Sequence, residues 1–130
     1  MLEINNIYKG DCIELLKECP KGRLLLTDIP YGGVSRTDCH LRNLDKGAAD
    51  VVTFELPVFL DAIYGLADVI IVWCWITQVS EIFNYFNNKG TGTVRQLIWA
   101  KSNPSPLNGK YVYLSGTENA IWFKKKELAR

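Results

Sequence analysis

Apolar positions along the chain follow two rhythms. Some recur every three or four residues, the spacing of a helix face; others run together in short stretches, as in a strand covered on both faces. Cys12, Leu15, Leu16 and Cys19 form the first stripe and predict a helix over Asp11–Cys19. Asp11 stands at its N-cap with Glu14 in the capping-box position, and Pro20-Lys21-Gly22 stops it. Leu24-Leu25-Leu26 predicts a buried strand over Arg23–Asp28. Leu56, Phe59, Leu60, Ile63 and Tyr64 predict a second helix over Glu55–Leu66, with Pro57 tolerated only in its first turn. Val69–Trp75 is the strongest strand. Val79, Ile82, Phe83 and Phe86 mark a third helix over Thr77–Asn87, closed by Asn87-Asn88-Lys89-Gly90. Two further strands are predicted near Arg95–Ala100 and Asn119–Phe123, separated by a Pro/Asn/Gly loop, Ser102–Lys110, and by Tyr111–Leu114.

Strands alternating with helices predict an α/β fold. The pattern supports one domain over 1–130, with about four strands, mostly parallel, and helices on both faces. No helical stripe separates the last two strands, so one of them is expected to be antiparallel. The stretch from Gly32 to Thr53 is polar and long for a connection, which marks it as a functional candidate.

Composition narrows the function. Of 130 residues, 48% are hydrophobic and 22% charged, as in a globular domain. The net charge is +1, which excludes nucleic-acid binding by bulk charge and leaves only a local patch. The longest apolar run, Val69–Ile76, is far short of a membrane span, and Met1–Gly10 lacks the basic-then-apolar order of a secretory signal. Cys12, Cys19, Cys39 and Cys74 form no C-x-x-C pair, and the one histidine, His40, cannot complete a zinc set with them. No metal is expected, and the cysteines read as reduced thiols of a cytoplasmic protein.

The residues with chemical potential lie at the carboxyl end of the first strand, where open α/β sheets place their ligands. They are Asp28-Ile29-Pro30-Tyr31, followed by Gly32. Asp28 can accept a hydrogen bond from an amino group, and a backbone carbonyl at Ile29 or Pro30 is a second acceptor. Pro30 stiffens the turn and removes a competing donor. Tyr31 offers a flat ring for stacking. Two acceptors and a ring suit a planar base bearing an exocyclic amine, although the same four residues also suit an ordinary strand-to-turn junction.

The surroundings favour the first reading. Asp28-Ile29-Pro30-Tyr31 resembles the catalytic motif of the DNA amino-methyltransferases, which make N6-methyladenine or N4-methylcytosine, with a less usual Ile in second place. Gly10-Asp11-Cys12 resembles the segment these enzymes carry shortly before the motif. Ile98-Trp99-Ala100-Lys101-Ser102-Asn103-Pro104-Ser105-Pro106 and Thr117-Glu118-Asn119-Ala120-Ile121-Trp122-Phe123-Lys124 resemble two later segments, in the family's order. The resemblance implies a Rossmann-like methyltransferase that flips its target base out of DNA and methylates the amine from S-adenosylmethionine. Asp28, Pro30 and Tyr31 are then catalytic, and Asp28, Ile29, Pro30 and Tyr31 hold the base. Asp at the first motif position leans toward adenine. Asp11 and Asp28 are the implied cofactor contacts, though an N-cap explains Asp11 without any ligand. A bacterial or phage-like restriction-modification setting is implied as well.

Other residues carry blander readings. Trp73, Trp75, Trp99 and Trp122 read as core, Lys101 as a strand end, and Glu118 as structural, bonding a neighbouring loop. Lys124-Lys125-Lys126 reads as a solvated tail; Arg36, Arg42 and Lys46 read as loop charges that either line a DNA side or serve solubility alone.

One family signature is missing. The Phe-x-Gly-x-Gly turn that cradles the methionine end of the cofactor is absent, since Gly90-Thr91-Gly92-Thr93 has no leading Phe and no preceding strand in the right sense. The chain therefore resembles the catalytic half of the enzyme in truncated or split form. Its first strand would lack a neighbour, so a homo-oligomer or a second subunit carrying the missing half is expected to cover that edge. Two alternatives remain: an inactive fragment, and a module that binds nucleic acid or protein without catalysis.

Overall fold

The computed structural model describes residues 1–31, 54–103 and 116–127. The elements in chain order are α1 (Cys12–Leu16), β1 (Gly22–Asp28), α2 (Leu56–Ile63), β2 (Ala67–Cys74), a 3₁₀ turn (Ile76–Gln78), α3 (Val79–Lys89), β3 (Gly92–Ala100) and β4 (Thr117–Lys125). Gly32–Thr53, with Arg36, Cys39, His40, Arg42 and Lys46, lies outside the described residues, as do Tyr111–Leu114 and most of Ser102–Lys110.

The four strands form one sheet in the order β1-β2-β4-β3. β1 and β2 are parallel, in register from Gly22↔Ala67 to Asp28↔Trp73. β4 runs antiparallel to both β2 and β3. The expected α/β class and the single antiparallel strand are both present. Parallel neighbours need a crossover, and the segment joining β1 to β2 carries α2.

Alternation along β2 sorts the sheet into two unlike faces. Ile70, Val72 and Cys74 are buried, while Val69, Ile71 and Trp73 are half-buried on the other side. Phe123, Ile121 and Val94 share the first face. Leu56, Phe59, Leu60 and Ile63 of α2 and Ile82 and Phe86 of α3 join the same cluster, with Ile13 and Leu16 packed against it. Phe86 stacks on Phe123 with centroids 4.8 Å apart and planes 17° off parallel. Gly92 begins β3 because a Cβ there would overlap the Lys124 carbonyl and the Phe123 ring.

All three described helices thus contribute to one face, and none lies over the other among the described residues. This revises the expected burial of β1. Leu24 and Leu26 are 56% and 61% exposed, because β1 is an edge strand and its second face carries no described helix. Leu25 and Thr27 turn toward the core side and are half-buried there.

α1 is shorter than the stripe suggested. Lys17, Glu18 and Cys19 donate to the carbonyls three residues back, so the last turn tightens beyond Leu16. Cys12 is exposed, and Ile13 takes its place against the core. α2 starts with Pro57 in its first turn, as expected, and α3 ends at Gly90, whose φ of 66° is left-handed.

Candidate active site

Because β4 opposes the others, the end of β1, the end of β2, the end of β3 and the start of β4 meet at one edge of the sheet. The Ile29 amide donates to the Trp73 carbonyl at 3.2 Å and extends the parallel ladder one residue past β1. Ile29 itself is buried in the core. Asp28, one residue earlier, therefore belongs to the open face, across from Trp73.

The turn that follows is held from β2. Gln78 Nε2 donates to the Pro30 carbonyl at 3.0 Å, and Gln78 Oε1 accepts the Trp75 amide at 2.8 Å. Sequence reasoning missed Gln78. The available signal was its position three residues after Trp75, the capping-box spacing.

Tyr31 lies 5.9 Å from the Trp75 ring, and its hydroxyl donates to Glu118 Oε2 at 3.5 Å. Glu118 Oε1 pairs with Lys101 Nζ at 2.5 Å, and that ammonium sits 5.8 Å from the centroid of Trp99. The Lys101 amide donates to the Gly116 carbonyl at 2.8 Å, which closes the start of β4 against the end of β3. Beneath this layer Gln96 Nε2 donates to Oδ1 of the buried Asn119 at 2.9 Å.

These side chains enclose a pocket of about 410 Å³, lined among the described residues by Asp28, Tyr31, Trp73, Trp99 and Glu118. The volume lies within the range of small-molecule sites. Asp28 and Tyr31, singled out from sequence, face the same space. Asp11 is not among the lining residues. Its Oδ1 accepts the amides of Ile13 at 2.8 Å and Glu14 at 3.3 Å, which is the N-cap role. Glu14 does not complete a capping box and pairs with Lys17 instead.

The reading of the tryptophans as core is corrected for all four: none belongs to the core cluster, Trp73, Trp75 and Trp122 are half-buried, Trp99 is 58% exposed, and Trp73 and Trp99 line the pocket. The cause is again the face of the sheet that no described helix covers, which odd-numbered positions of β2 and β3 share. Lys101 does more than end a strand, because it holds Glu118 and rests on Trp99.

Electrostatics keep the pocket's hydroxyl protonated. Burial raises the Tyr31 phenol well above its ordinary range, and the adjacent Asp28, by its charge and as an acceptor, raises it further; Glu118 adds to this. Burial and the Asp28 charge also push the Cys74 thiol up to about 11. Among the described residues no group of three or more His, Cys, Asp or Glu is placed to hold a metal ion.

No protein-family model matches the chain, and no curated sequence does. Solved structures do. The chain shares the fold of M1.HpyAVI. The crystal structure of the M1.HpyAVI–SAM complex matches with a TM-score of 0.66 and 23% identity, over 94% of this chain and 55% of that one. A second crystal structure of M1.HpyAVI matches with a TM-score of 0.64 and 23% identity, over 92% and 54%. The chain therefore spans about half the length of the structures it resembles.

Proposed function

We propose that this chain is the base-orienting half of an S-adenosylmethionine-dependent DNA methyltransferase acting on the N6 amine of adenine. The observation that carries the proposal is the placing of Asp28 and Tyr31 on one pocket, at the carboxyl end of the parallel pair β1–β2. The likeness to a fold solved with SAM supports it. The choice of adenine rests on Asp at the first motif position.

A duplex base must leave its stack to reach such a pocket. Tyr31 supplies the ring on which the base lies, and Asp28 accepts one hydrogen of the exocyclic amine. The second acceptor is the Ile29 carbonyl, because the Pro30 carbonyl already takes a hydrogen bond from Gln78. Two acceptors on one amine localise the nitrogen lone pair and aim it, and orientation of this kind supplies much of the rate. S-adenosylmethionine, when bound, supplies a methyl group carried on a cationic sulfur. The carboxylates of the pocket and the Trp73 ring suit that cation. The glycine turn expected to hold the rest of the cofactor is not in this sequence, so we assign it to a segment outside these 130 residues. The open edge of β1 is where that segment, or a second copy of the chain, would add. Asp11 is kept as a cofactor contact only within this proposal. A cytoplasmic setting belongs to it too, and no described helix is long and apolar enough to cross a membrane.

Tritiated-methyl transfer from S-adenosylmethionine to unmethylated DNA, with the chain supplemented by a segment that carries the glycine turn and the product digested to nucleosides, tests the reading. We expect label at adenine N6 and a loss of about 100-fold in Asp28→Ala, the scale of a misplaced reacting group. Label on another base, or equal transfer by Asp28→Ala, overturns it. Base binding that depends on Asp28 and Tyr31, still without transfer when that segment is present, would favour a binding module.

A further inference from the structure

We propose that Trp99 is a second stacking surface of this site, for the nucleotide next to the base held at Asp28, so that the pocket takes an extended single strand of DNA. The inference rests on the function proposed above and adds a residue and a substrate form to it.

Trp99 is the penultimate residue of β3, and its indole is 58% exposed, unusual for the side chain that is among the most buried on average. It is not stranded at random. Its cross-strand partner is Glu118, and the same pocket holds Tyr31 and Asp28. β1 and β3 are the two edges of a four-stranded sheet, three strand spacings apart, or about 14 Å. A base held at Asp28 on one edge leaves Trp99, on the other, for its neighbour in a strand.

The indole is held ready for a ligand. Lys101 Nζ lies 5.8 Å from its centroid, and Lys101 is fixed by Glu118 at 2.5 Å. A ring already restrained gives up less freedom on binding. The pairing with Glu118 also occupies the lysine charge, so Lys101 is not a phosphate anchor. Binding at Trp99 is by stacking, which tolerates any base and depends little on salt, unlike contacts to phosphate.

The test compares two ligands on the full chain by titration calorimetry: deoxyadenosine, and a single-stranded trinucleotide with deoxyadenosine between two thymidines. We expect the trinucleotide to bind at least about tenfold more tightly, the scale of one base–aromatic stack. Trp99→Ala should bring the two affinities together, Trp99→Phe should restore most of the gap, and neither should change the salt dependence. Equal affinities in the wild type, a gap that survives Trp99→Ala, or a gap that Trp99→Phe fails to restore overturns the inference. Asp28→Ala and Tyr31→Ala separate the two readings. If they leave deoxyadenosine binding intact, the base-orienting proposal falls whatever Trp99 does; if they abolish it while the gap survives Trp99→Ala, only the present inference falls. Absence of binding by both ligands overturns both.

Discussion

Asp28 sets the chemistry of the side chains around it. Its charge and its acceptor oxygens add to burial in keeping Tyr31 protonated, so the ring stays a neutral stacking surface well past pH 10. Its charge also reaches Cys74, a fully buried thiol raised from 9.0 to about 11. The folded-state value lies above the unfolded one. The stabilising contribution is therefore complete below about pH 9 and is lost as pH rises toward 11, where the unfolded chain alone is ionised. Two outcomes follow for the thiols. Urea midpoints should fall between pH 9 and 11, less steeply in Cys74→Ala. Iodoacetamide near neutral pH should label exposed Cys12 and spare Cys74 until denaturant is added, as peptide mass spectrometry would show. Labelling of Cys74 at the rate of Cys12 in the native protein would contradict the burial described above. At this scale the sequence was legible for Asp28 and Tyr31, because a rare motif fixes both identity and order. It was less so for Asp11, where one residue type serves as a cap and as a ligand, and the hydrogen bonds to Ile13 and Glu14 show the cap.

Between residue and fold lies the 3₁₀ turn after β2. Gln78 ties the turn after β1 to the turn after β2 with both ends of one amide. Gln78→Ala should cost about 1–2 kcal/mol, as two half-buried hydrogen bonds are lost, and should weaken base binding more than a surface substitution of equal cost. Gln78→Glu keeps the acceptor for the Trp75 amide but loses the donor to Pro30, so its effect on base binding should approach that of alanine while its stability falls less. Urea unfolding and the deoxyadenosine titrations together measure both. A Gln78→Ala variant that unfolds earlier yet binds unchanged would leave Gln78 with a structural part only. Helices α2 and α3 were legible because four and two buried residues respectively repeat at helical spacing. α1 was overdrawn, because a stripe cannot distinguish an α turn from the tighter bonds that follow Leu16. β3 and β4 were drawn too short, since polar ends such as Thr93 and Lys124 are held by the ladder rather than by burial.

For the whole molecule, the open edge is the decisive feature. Among the described residues β1 pairs only with β2, and it exposes Leu24 and Leu26 on the face that no described helix covers. An apolar edge of this kind invites a further strand. If the chain pairs with itself there, sedimentation velocity at micromolar concentration should show an oligomer that Leu24→Lys with Leu26→Lys converts to monomer, without loss of secondary structure by circular dichroism. A wild-type monomer at the same concentration would exclude self-pairing and leave a second polypeptide as the partner. The sequence by itself determined the alternation of elements, the α/β class, the antiparallel exception and the Asp28–Tyr31 corner. Periodicity and motif order are local properties, readable along a line. The tertiary structure alone decided which tryptophans face the pocket, that Gln78 holds Pro30, that Lys101 and Glu118 pair beside Tyr31, and that the triple leucine of β1 is half exposed. Each of these depends on which strands become neighbours, and strand order is set by packing between segments distant in the chain.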